Sequence, residues 1–71
     1  MRLTPQRVRE LERAVDTGSR VELYRRGTEF VIVAEALEQR GADEILRGRH
    51  VHTGEELTFV LSEVERADVV G

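Results

Sequence analysis

The stretch RVELYRRGTEFVIVAEA, residues 20–36, decides the fold. Its first half alternates: Val21 and Leu23 face one way, Glu22 and Tyr24 the other, the period of a half-buried strand. Arg26-Gly27-Thr28 then supplies turn chemistry, because glycine reaches positive φ without steric cost. Glu29–Ala36 is nearly all apolar, the pattern of a strand covered on both faces. Two apolar runs around a glycine turn predict a β-hairpin.

Working outward, glycines at 18, 27, 41, 48 and 54 cut the chain after its first segment into short β-rich runs. Toward the N-terminus, Thr4 is a good N-cap and Pro5 suits the first helical position. Leu3 and Val8 have the spacing of a hydrophobic staple. Val8, Leu11 and Val15 share a face, while Arg9, Glu10 and Arg13 point away. Asp16-Thr17-Gly18 is a helix end, so an amphipathic helix is expected over about residues 5–16.

Toward the C-terminus the reading branches. Ala34–Arg40 uses helix vocabulary and Gly41 is a natural helix stop. Either a strand followed by a helical turn or one continuous bent strand fits residues 34–40. A third β run covers Asp43–His52, with Gly48 inside it as the mark of a bulge or bend. Thr53-Gly54-Glu55 turns the chain. In Glu56–Ser62, Leu57, Phe59 and Leu61 face in, while Thr58 and Ser62 face out. Ser62–Glu65 reads as a capping box on one helical turn, and Ala67–Val70 as a last strand. The expected fold is mainly β with an N-terminal α-helix: a small five-stranded SH3-like or Sm-like barrel, about residues 20–70, closed on itself and capped by the helix.

Seventy-one residues without cysteine make one domain, 1–71, with neither disulfide nor Cys-based zinc site. So small a core leaves little stability margin, and weak self-association through a sheet edge or an apolar patch is expected. No apolar run reaches the ~18 residues of a membrane span, and the first residues lack a signal-peptide core. A cytoplasmic protein with no membrane partner is expected. All eleven basic residues are Arg, in keeping with GC-rich coding. The net charge of −3 is uneven: residues 1–26 carry seven Arg against four acids, and residues 27–71 four Arg against ten acids. That balance argues against a uniformly basic nucleic-acid binder.

Three constellations carry chemistry. Glu55, Glu56, Glu63 and Glu65 form an acidic face suited to a basic protein partner; the plain reading is a solvated surface. Tyr24, Arg25 and Arg26 with Arg47 and Arg49 form a rival patch for single-stranded RNA or DNA, with one ring for stacking and guanidiniums for phosphate. Cross-strand pairing of those arginines with glutamates is the plain reading there. His50 and His52, two apart on a strand, share a face and are weak candidates for a metal. No Cys nucleophile, glycine-elbow serine or Gly-rich phosphate loop is present, so a non-enzymatic protein without cofactor is expected.

Leu11, Ala14, Val21, Leu23, Gly27, Glu44, Leu46, Leu57, Phe59, Leu61 and Val64 fall in a spacing that resembles small Sm-like and SH3-like barrels. The likeness is nearest to the Rho-binding antiterminator family and looser to WYL-type regulatory domains. It covers roughly residues 11–70. The segment in the place of the Trp-Tyr-Leu motif here reads Glu44-Ile45-Leu46-Arg47. The antiterminator likeness implies an acidic barrel that occupies the RNA-binding surface of a transcription terminator, and hence a role in transcription or RNA metabolism.

Overall fold

The structure, a computed structural model, describes residues 2–71. Helix α1 (Pro5–Thr17) leads into strands β1 (Arg20–Arg25), β2 (Thr28–Arg40), β3 (Asp43–His50) and β4 (Glu56–Val60). A 3-10 turn (Leu61–Glu63) and strand β5 (Arg66–Val69) follow. All strand pairs are antiparallel, in the order β4-β3-β2-β1-β5.

The helix ends follow the local chemistry of the sequence. Thr4 Oγ1 accepts from the Arg7 amide at 3.2 Å, with Pro5 in the first turn. Gly18 takes φ 63°, its amide and that of Ser19 donating back to Val15 and Ala14 carbonyls at 3.3 and 2.9 Å. That is the paired C-cap of a Schellman motif. The buried helical residues are Leu11 and Ala14, whereas Val8 and Val15 are half-buried.

Both two-residue hairpins obey their turn geometry. Arg26 and Gly27 have φ of 52° and 76°, a type I′ turn between Arg25 and Thr28. Gly41, φ 61°, opens the Gly41-Ala42 turn between Arg40 and Asp43. Residues 34–40 therefore belong to one continuous strand, not to a helix. That strand carries a bulge: Ala34 pairs Gly48 and Ala36 pairs Arg47, leaving Glu35 as the extra residue. Gly48 itself keeps regular pairing, with Ala34 on one side and Leu57 on the other. A Cβ at position 48 would run into the Val33 carbonyl oxygen and come within 2.8 Å of Ile32 Cδ1.

Several sequence expectations are corrected. The sheet does not close into a barrel, because β4 and β5 stay at opposite edges, joined by the 3-10 turn. Leu61 and Val64, at 0% and 1% exposure, plug that side with side chains instead of a strand ladder. The 3-10 turn starts after Val60 and has no side-chain cap; Ser62 lies inside it. The outward face of β2 is only half covered: Val31 and Val33 sit beside Glu22, Arg20 and Arg49, with no second layer over them.

The core lies between the sheet's inner face and α1. Leu11 and Ala14 join Val21, Leu23, Ile32, Leu46, Phe59, Leu61, Val64 and Ala67 in one cluster. No side-chain nitrogen or oxygen among the described residues is buried without a partner, and none of their helices is long and apolar enough to cross a membrane.

Candidate functional site

The four candidate acids divide into two pairs. Glu55 and Glu56 stand at the start of β4, and Glu63 and Glu65 lie past its end. A five-residue strand, at ~3.3 Å per residue, separates them by roughly 16 Å. Glu56 lies 3.6 Å from Arg49 Nη2. Glu65 serves the fold, since its Oε1 accepts from the Gly27 amide at 2.8 Å while its own amide donates to the Tyr24 carbonyl at 2.7 Å. It fastens the β1–β2 turn to the start of β5. The carboxylates of Glu55 and Glu63 are exposed and have no partner among the described residues.

The Arg/Tyr patch is likewise divided, and the cause is strand alternation. Tyr24, Arg47 and Arg49 occupy the outer face, whereas Arg25 continues the Val21-Leu23 row on the core face. Arg47 lies 3.1 Å from Glu38. Arg49 is held three times: Nε on Glu35 at 3.1 Å, Nη1 on the Gly54 carbonyl at 3.1 Å, and Nη2 near Glu56. The extra residue of the bulge thus supplies one of the carboxylates that neutralise Arg49. Tyr24 donates its hydroxyl to Glu29 at 2.8 Å, and Arg66 lies over its ring at 5.9 Å. The Glu29 hydrogen bond and charge, with lesser help from desolvation and Glu22, raise the phenol above its ordinary value; Arg66 opposes them. Arg66 escaped the sequence reading because only the pairing of β1 with β5 brings it to Tyr24.

The histidines do not share a strand face. β3 ends at His50, and His52 sits in the following turn, donating its amide to His50 Nδ1 at 3.2 Å. The rings are 5.7 Å apart. Among the described residues no group of three or more His, Asp or Glu gathers to hold a metal ion.

Two surface features bear on function. The first is the outer edge of β4, which, like that of β5, pairs with no strand among the described residues. Beside it the outer face carries Glu35, Glu38 and Glu56 against Arg47 and Arg49, an acidic surplus to which the exposed Glu55, just before the strand, adds. The second is a groove of about 310 Å³ lined by Arg25, Arg26, Thr28, Phe30 and Glu63. Phe30, in its lining, makes an edge-to-face pair with the fully buried Phe59, with centroids 5.3 Å apart. The Arg25 guanidinium lies 5.1 and 4.9 Å from those two centroids. Position 30 was legible only as a strand residue, and Glu63 only as an acid; the fold brings both to Arg25. Compared with known proteins, the chain matches no family model and no curated sequence.

Proposed function

We propose that this chain is a non-enzymatic adaptor that takes an extended, basic segment of a partner protein onto the free edge of β4, in transcription or RNA metabolism. The observation that carries the reading is the coincidence of an unpaired strand edge with the acidic surplus around Glu55 and Glu56. An edge strand presents unpaired N–H and C=O groups that an incoming strand can satisfy, giving affinity through the main chain. Carboxylates beside that edge give the charge preference and speed encounter with a cationic chain. Glu55 supplies an uncommitted charge, and Glu56 can exchange Arg49 for a partner cation because Arg49 keeps Glu35. Thr58, outward and exposed on the same strand, leaves room for the guest. Glu63 and Glu65 lie a strand's length away, and Glu65 holds the hairpin turn through one carboxylate oxygen, so the docking reading rests on Glu55 and Glu56.

The test is an amide chemical-shift titration with a capped peptide of alternating Lys and Val. Shifts along Glu56–Val60 that weaken several-fold in E55Q/E56Q support the reading. No shift along β4 at low salt sinks it, and so does an equal response to an alternating Glu and Val peptide. Mass measurement during the titration separates peptide addition from pairing of two copies edge to edge.

A further inference from the structure

The groove at the β1–β2 turn has a charge arrangement that the fold does not consume. No ion pair joins Glu63 to Arg25 or Arg26, although all three line the same space. No acceptor among the described residues takes a hydrogen bond from either guanidinium. Arg25 is nevertheless half-buried, its guanidinium carbon 5.1 and 4.9 Å from the Phe30 and Phe59 centroids. Its guanidinium is thus in aromatic contact while its donors are free among the described residues. Arg26 adds a second, independent sign. It occupies the first central position of a type I′ turn at φ 52°, where Asn, Asp or Gly is the favoured residue. An ordinary L-residue there carries a local conformational cost, and residues held in such regions concentrate at functional sites.

We propose that this groove binds one nucleotide of a single-stranded nucleic acid, with preference for guanine. Bases stack on guanidinium planes and aromatic rings in single-strand recognition, so the base lies against Arg25 and Phe30. The adjoining phosphate meets Arg26 and the Thr28 hydroxyl. Glu63, across the groove, accepts hydrogen bonds only, being a carboxylate. Guanine alone offers two adjacent donors, N1–H and N2–H, on its Watson–Crick edge, and one carboxylate can take both. This differs from a basic patch on the outer face, where Arg47 and Arg49 are already neutralised. It is also independent of the β4-edge reading, which involves other residues and a guest of opposite charge.

The test is fluorescence anisotropy at low salt with labelled six-nucleotide strands, all-U and U-rich with a single G, each as RNA and as DNA. The G-containing strand is expected to bind about tenfold tighter than all-U, the low end of what one bidentate base contact provides. E63Q erases that preference while all-U binding holds or improves. R26N weakens every strand and flattens the salt dependence, as loss of a phosphate contact must. R25K, which keeps the charge but loses the plane, weakens binding several-fold. An unchanged amide spectrum certifies the fold of each variant. Equal binding of RNA and DNA assigns recognition to base and phosphate; stronger RNA binding adds a 2′-hydroxyl contact. No binding of any strand overturns the proposal, as does binding insensitive to R25K and R26N. Stronger shifts of Arg25–Phe30 by a Glu-rich peptide than by the G strand also overturn it, in favour of an acidic protein ligand. The Lys-Val peptide titration is unaffected by these variants, so the two readings fail separately.

Discussion

Gly48 and Val33 approach so closely across β2 and β3 that a side chain at position 48 would collide with the Val33 carbonyl. The glycine is not at positive φ, so its requirement is space and not backbone freedom. Gly48→Ala is expected to cost about 3 kcal/mol, the upper part of the usual overpacking range. Gly41→Ala, at φ 61° with nothing near the added carbon, should cost only about 1 kcal/mol. Urea unfolding of both variants checks the order; a milder Gly48→Ala would show that β2 yields there.

Arg26→Asn should raise stability by about 0.5–1 kcal/mol, since Asn accepts the left-handed conformation that Arg tolerates poorly. The same substitution is expected to weaken oligonucleotide binding. Thermal unfolding and anisotropy on one sample read both effects, and a stabilised variant with full binding would remove Arg26 from the groove's function.

Glu65→Ala should destabilise by about 1 kcal/mol, the typical net value of one hydrogen bond, because the Gly27 amide loses its acceptor. Glu65→Gln keeps an oxygen there and should lose less than half as much. Hydrogen exchange at the Gly27 amide gives the local readout, faster in the alanine variant than in the glutamine one.

Tyr24 is the single tyrosine, and there is no tryptophan, so near-ultraviolet absorbance follows its ionisation cleanly. Its folded-state pKa lies above the ordinary value, first through the Glu29 hydrogen bond and then through the Glu29 charge. Folding therefore gains from the protonated phenol at neutral pH, and that gain is lost as pH rises through the folded-state pKa. Glu29→Gln should bring the titration back toward about 10. An unchanged midpoint would show that the Tyr24–Glu29 bond does not persist in solution.

What was legible in the sequence was whatever local stereochemistry dictates. Thr4, Pro5 and Gly18 delimit the helix, and Gly27 marks its turn, because caps and turns depend on neighbouring residues alone. Residues 34–40 were ambiguous for a physical reason. The bulge at Glu35 puts Ala34 and Leu37, three apart, on the core face, which is the spacing of a helix. Closure was not legible because it turns on whether β4 and β5 meet, a question of chain length and of where Leu61 and Val64 pack. The candidate sites suffered most. Which glutamate neutralises Arg49, or which arginine reaches the Phe30 and Phe59 rings, follows from register between distant strands.

One extra residue in β2 alters the spacing along the strand without altering which side chains its distal half presents. Ala34 and Ala36 already pair with the consecutive residues Gly48 and Arg47, so deleting Glu35 would restore an even ladder and leave the Gly41-Ala42 turn where it is. Leu37 would stay opposite Leu46 on the core face. The molecule thus carries one residue of slack in β2: losing Glu35 shortens the chain without exchanging inside for outside, and what it removes is a carboxylate from Arg49.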